Sequence, residues 1–226
     1  MNINRNIIDS LQYPFKEWVK IILLGIILII PIVNFIGLGY YLRIIKYSLA
    51  GLDELPDFEG IVELFIDGIK ILIVGIIYAI IPLIFYAISV AFARSATVTS
   101  SSVFSNYLPA LTGISSIFLI IAIIFAMIIS IIAYMGIVNM VLYDNEITAA
   151  LRYHEILYRI SVIGWVKYIL WWIVLMIILT VAGFIISIVG GILLYFVLGL
   201  LVLLVGYSYL LIFQARSSAL IFLSNR

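Results

Sequence analysis

An all-α, polytopic membrane fold is what this sequence predicts, and three observations carry the prediction. Hydrophobic residues make up 66% of the 226 positions and charged residues 10%, with a mean hydropathy of +1.35; soluble domains carry about 25% charged residues. The stretches 21–42, 71–93, 95–143 and 168–215 are free of charge, and about 20 apolar residues suffice to cross a bilayer. The polar residues gather in islands instead of spreading along the chain. The stretch 37–70 alone, from Gly37 to Lys70, holds six of the eleven acidic residues.

Residues 1–17 read as a short amphipathic helix, with Ile3, Ile7, Ile8 and Leu11 at helical spacing for a membrane surface. Pro14 interrupts it, and Trp18 falls where interfacial aromatics belong. Block 19–42 is long enough to span, yet Pro31 and Asn34 sit in its middle as a candidate helix break, with Gly37 and Gly39 following. Two topologies stay open: a hairpin that enters and leaves on one side, or a fifth full span. The hairpin puts eleven basic residues inside and only Arg94 outside, whereas the full span gives eight against four. The positive-inside rule favours the hairpin; the length of the block favours the span.

Tyr40–Ala50 predicts a helix closed by Gly51. A loop, Leu52–Leu55, leads to a second helix starting at Pro56, with Asp57 and Glu59 in its first turn. Phe58, Ile61, Val62, Phe65 and Ile69 would form its apolar stripe, and Glu59, Glu63 and Asp67 an acidic one. This interfacial helix feeds the span Ile71–Ala93, which Arg94 closes. The Ser/Thr-rich stretch 95–112, with Thr99-Ser100-Ser101-Ser102, predicts a solvated external loop.

Ile114–Tyr134 is the next span, with Ala122, Ala126 and Ser130 every four residues in a register that lets helices approach. The island Asn139–Lys167 predicts a second interfacial helix through Ile147, Leu151 and Tyr158, followed by Trp165, Tyr168, Trp171 and Trp172 at headgroup level. Spans 168–188 and 192–213 are split at Gly190-Gly191, with Gly183, Ser187, Gly199 and Gly206 placed for close packing. Gln214–Arg226 reads as a short basic tail. The fold class is thus four firm transmembrane helices, a broken first hydrophobic segment and two interfacial helices. It forms one transmembrane domain, 1–226, with a weak pattern repeat between 19–93 and 114–188.

Gly39-Tyr40, Arg43, Gly51, Leu55-Pro56, Phe58, Phe65 and Gly68 in the first island resemble an archaeal family of multi-pass membrane proteins, domain of unknown function 4013. Tyr13-Pro14, Trp18, Phe213 and Arg216 also fit that pattern. Where relatives tend to carry further acids and a Trp after the Phe, this chain has Glu59-Gly60. The resemblance implies residence in an archaeal cytoplasmic membrane and brings no known activity. The signature positions are therefore expected to be structural.

Several chemistries are excluded. The chain has no cysteine, so it forms no disulfide, thiolate zinc site or iron–sulfur cluster. A net charge of +1 gives no basic face for nucleic acid. His154 is the only histidine, which excludes a multi-histidine metal site within one chain. Asp53, Glu54, Asp57 and Glu59 lack calcium-loop spacing, and acids at a helix start need no metal. Arg43 and Lys46 suit lipid phosphates or the acidic stripe. No catalytic or phosphate-loop motif occurs, and no cofactor is expected. The span interiors hold Asn34, Ser89, Ser130, Thr180 and Ser187 but no charge, which counts against ion-coupled transport. The expected function is non-enzymatic: a scaffold, lipid-organising element or partner subunit. Its partners would be membrane lipids, with a protein partner or a second copy. The alternative is a transporter or permease component for a neutral or lipidic solute, and a membrane enzyme ranks third.

Overall fold

The computed structural model describes residues 2–99, 108–194 and 198–224. Its α-helices are α1 (Ile3–Gln12), α2 (Trp18–Ile29), α3 (Asn34–Leu49), α4 (Ile61–Thr99), α5 (Leu108–Leu142), α6 (Tyr153–Ile163), α7 (Trp165–Leu193) and α8 (Leu198–Leu223). Short 3-10 turns at Tyr13–Lys16 and Ile147–Leu151 precede α2 and α6. No strand occurs among the described residues. Helices α4, α5, α7 and α8 are each long and apolar enough to cross a bilayer, and the chain is a multi-pass membrane protein. Two compact units are distinct: Met1–Ile73 with Tyr134–Arg226, and Val74–Ala133.

Block 19–42 is not one helix. Pro31 has no N–H to continue α2, and Ile32 adopts φ +73°, a left-handed conformation that costs a β-branched residue on the order of 1–3 kcal/mol. The turn closes its own backbone bonds, Asn34 N–H to the Ile30 carbonyl at 3.0 Å and Ile36 N–H to that of Val33 at 2.9 Å. Backbone at membrane depth requires such closure. The 12 residues of α2 measure about 18 Å, short of a hydrocarbon core of about 30 Å. Helix α3 returns along α2, with Gly37 against Leu24 and Leu28. The residues before α2 and those after α3 meet, because the Glu17 carboxylate accepts a bond from Leu55 N–H at 3.2 Å. The block is a helical hairpin.

In the larger unit α8 is the axis, touching α1, α2, α3, α6 and α7. A third of its most apolar window is buried, against 6% for α5. The expected tail from Gln214 is therefore helix as far as Leu223, and residues 225–226 lie outside the described residues. Helix α8 continues to Leu223, and Ala215, Arg216, Ser217, Ser218 and Ala219 are among its most buried residues. They are small or polar because α1 lies on them with its polar face. Asn6 donates to the Ser217 carbonyl at 3.1 Å and accepts from the Ser217 hydroxyl at 2.7 Å, while Ile8 is left outward.

Gly39 and Gly68 permit the crossing of α3 and α4: a Cβ on either would run into the backbone carbonyl of Leu64 or of Phe35. Gly190-Gly191 does not split the last spans. Both glycines lie within α7, and Gly190 brings Gly199 of α8 close, while Gly206 packs on Ile186. In the smaller unit, Ser89 and Ser115 exchange hydroxyl-to-carbonyl bonds at 2.8 and 3.0 Å. Phe85, Phe92, Phe118 and Phe125 stack beside them.

Three further elements differ from the sequence reading. Helix α4 starts at Ile61, five residues after Pro56, so Phe58 and Glu59 precede it. Residues 95–99 and 108–112 continue α4 and α5, so the loop is shorter than 95–112, and Ser100–Ser102 lie outside the described residues. In the other island the Ile147–Leu151 turn and α6 stand where an interfacial helix is expected, α6 burying Ile156, Ile160 and Ile163.

Single cysteines introduced at Asn2 and Glu54 are expected to react with an impermeant maleimide from the same side of the membrane. Labelling from opposite sides would show that block 19–42 crosses it.

Candidate functional site

The signature residues converge on residues 52–59, an extended strap between α3 and α4. Gly51 turns the chain out of α3 at φ +77°, with Leu52 N–H bonded to the Tyr47 carbonyl at 3.0 Å. From there successive carbonyls accept bonds from side chains. Arg216 Nη1 donates to Leu52 at 2.8 Å, Lys16 Nζ to Asp53 at 3.0 Å and the Tyr13 hydroxyl to Glu54 at 2.7 Å. Lys20 Nζ donates to Leu55 at 2.6 Å and the Tyr40 hydroxyl to Pro56 at 2.7 Å. Arg43 Nη1 donates to Asp57 at 3.1 Å and also to Glu59.

This explains why no helix starts at Pro56. A helix from Pro56 would need the carbonyls of residues 55–59 for its own ladder, and Lys20, Tyr40 and Arg43 hold those of Leu55, Pro56, Asp57 and Glu59. The strap is anchored by Leu55, only 2% exposed, and by Phe58, whose ring stacks on Tyr40 at 4.0 Å between centroids and 9° between planes. At Gly60, with φ +63°, the chain turns into α4.

Arg216 is the central donor. Buried to 5% exposure, it meets Asp9 and Asp53 carboxylates at 3.0 Å each, and its guanidinium lies 4.5 Å over the Tyr13 ring. Burial pushes the Tyr13 hydroxyl up to about 12, so it remains a donor at neutral pH. The Asp53 carboxyl is held below its ordinary range, first by its hydrogen bond from Lys16 and further by the charges of Lys16 and Arg216. The acids of the strap do not converge on a common point. Asp53 faces Lys16 and Arg216, while Asp57 faces Lys20 at 2.8 Å.

Elsewhere, Lys46 pairs with Asp144 at 2.9 Å, and Asp67 receives Lys70 at 2.8 Å and Asn145 at 2.7 Å. His154 is exposed on α6, beside Glu155, which accepts from Arg159 at 2.6 Å and Tyr143 at 2.9 Å. Among the described residues no three His, Asp or Glu groups gather as metal ligands. Pro31 and Asn34 stand apart from the strap at the hairpin tip, where the Asn34 side-chain oxygen is enclosed without a hydrogen-bond partner. A cavity of about 290 Å³ lies between α2 and α8, lined by Gly25, Leu28, Leu203, Leu204 and Tyr207.

Sequence reasoning missed the anchoring roles of Asp9, Lys16, Glu17 and Lys20. The available signal was four charges placed before an apolar block that needs none.

A family model described as Protein of unknown function (DUF4013) matches residues 23–191. No curated protein and no solved structure matches the chain significantly. The matched residues contain the strap and the hairpin from Leu23 onward, while Tyr13, Lys16, Lys20 and Arg216 lie beyond them.

Arg216→Ala is expected to cost about 2–3 kcal/mol, because a buried charged donor set is lost. Arg216→Lys is expected to restore little, since one ammonium nitrogen cannot reach the spread acceptors that the guanidinium meets through three separate nitrogens. Thermal unfolding in detergent checks both. A carboxyl held low in the folded state adds stability that is present above its unfolded value, near 3.8 for Asp53, and lost as pH falls through the folded one. The melting-temperature gap between the native chain and Asp53→Asn is therefore expected at pH 7 and should close below about pH 4. With Asp53 64% exposed, the gap corresponds to less than about 1 kcal/mol.

Proposed function

The chain belongs to the DUF4013 family, and on that premise we propose that it is a non-enzymatic lipid-organising scaffold of an archaeal cytoplasmic membrane. One observation carries the reading: the polar side chains that surround the strap are spent on its backbone. Tyr13, Lys16, Lys20, Tyr40, Arg43 and Arg216 all donate to carbonyls of residues 52–59. Such donors fix a shape; they are not aimed at a substrate. The apolar windows of α4, α5 and α7 meanwhile stay nearly bare, with 11%, 6% and 11% buried, which offers a broad surface to lipid chains. The islands lie at the cytoplasmic interface in this reading, with α1 and α6 along the headgroup layer. Protein partners or further copies would use the same bare helices.

A second reading, a facilitator for a neutral or lipidic solute, is favoured by the enclosed, unpartnered Asn34 oxygen beside the broken helix.

Protein reconstituted in mixed vesicles and re-extracted is expected to retain a lipid shell that differs in composition from the bulk, with no turnover of lipid or solute. Catalysed turnover would overturn the scaffold reading. Solute flux above that of empty vesicles would replace it with the second.

A further inference from the structure

We propose that the cavity where the start of α1 meets the first turn of α7 binds the headgroup of an anionic phospholipid, with Lys167 on its phosphate. The inference rests on the lipid-organising reading and names the lipid class and the place. The cavity measures about 540 Å³, and Asn2, Ile3, Trp165, Val166, Lys167 and Leu170 line it. Polar groups (Asn2 and Lys167) share it with an apolar wall.

Charge identifies the occupant. Lys16, Lys20, Arg43, Lys46, Lys70, Arg152, Arg159 and Arg216 each have a carboxylate within ion-pair distance. Lys167 does not: among the described residues its Nζ reaches only the Ser224 carbonyl, at 3.4 Å. Arg5, one helical turn beyond Asn2 on α1, is exposed and likewise has no carboxylate at ion-pair distance among the described residues. One uncompensated cation, Lys167, therefore lines the concavity, and a second, Arg5, stands three residues beyond its lining residue Asn2, in a chain that pairs most of its others. An anion is the complementary occupant.

Position identifies the anion as a lipid. Trp165 and Val166, 44% and 73% exposed, open an uncharged-side-chain run broken only by Lys167. The first turn of a spanning helix sits at headgroup level, where a ring such as Trp165 is at home. A soluble anion would find half of this wall apolar. A phospholipid covers Val166 and Leu170 with its chain while its phosphate meets Lys167.

The test uses the full-length protein in phosphatidylcholine vesicles containing either brominated-chain phosphatidylglycerol or brominated-chain phosphatidylcholine. Trp165→Phe isolates the Trp165 signal by difference. That signal is expected to be quenched more by the phosphatidylglycerol at equal mole fraction. Lys167→Gln should lower this preference about fivefold and Arg5→Gln by no more than that, while Lys167→Arg keeps it. A Lys167→Gln protein of unchanged melting temperature and unchanged preference overturns the site. If Lys167→Gln unfolds early, equal quenching of Trp165 by the two lipids in the native chain overturns it instead. Displacement of the lipid by inorganic phosphate would mark a free-anion site and also overturn the assignment. A chain that prefers phosphatidylglycerol at its other tryptophans but not at Trp165 loses this site and keeps the lipid-organising reading. A chain with no preference at any tryptophan loses both.

Discussion

The carbonyl row of residues 52–59 is the constraint on which the larger unit depends. An extended segment packed beside membrane helices has no ladder of its own, and enclosed backbone groups left without partners are costly. The donors come from three places: the turn before α2 with the first turn of α2 (Tyr13, Lys16, Lys20), the middle of α3 (Tyr40, Arg43) and the buried end of α8 (Arg216). Satisfying one short segment therefore brings together residues more than 160 positions apart. The hairpin is held by the same bonds, since the strap ties its entry at Glu17 and Lys20 to its exit below Tyr40. Neither α2 nor α3 is long enough to be held by the bilayer alone.

Most of the architecture was legible because membrane helices write themselves in composition. The four spans follow from where charge is absent, the second polar island from where it returns, and the break in the first block from Pro31. What was misplaced was decided by tertiary partners. Pro56 with Asp57 and Glu59 is a sound local signal for a helix start, and it lost to three side chains, Lys20, Tyr40 and Arg43, competing for the same carbonyls. Gly190-Gly191 looked like a connection, yet inside a lipid-facing helix a glycine is a place for another helix to come close, as Gly199 does. Gln214–Ser218 looked like a tail because buried polar residues resemble exposed ones until α1 and the strap are seen to cover them.

The candidate site was only half legible. Tyr40, Arg43, Gly51, Leu55, Pro56 and Phe58 drew notice as a signature, and they are the strap and the donors nearest to it in sequence. Lys16 and Lys20 were not assigned a role, because a lysine bonded to a carbonyl leaves no spacing pattern. Asn6 and Ser10 were invisible for a related reason. In a membrane-surface helix the polar face was expected to meet water, but here it packs on serines of α8.

The strap also sorts charge by direction. Its cations point inward to carbonyls and are largely enclosed: the Lys20, Arg43 and Arg216 side chains are 18%, 20% and 6% exposed. Its carboxylates point outward, Asp53, Asp57 and the neighbouring Glu63 being 64%, 72% and 80% exposed. The strap thus presents an acidic face that anionic headgroups avoid, although basic residues build it. Counting lysines and arginines along the sequence would place the attraction for lipid at residues 16–46. Pairing removes it there and, among the described residues, leaves Arg5 and Lys167 without a carboxylate at ion-pair distance. For a membrane protein with a net charge of only +1, where anionic lipid would be attracted is set by which cations its own fold fails to neutralise.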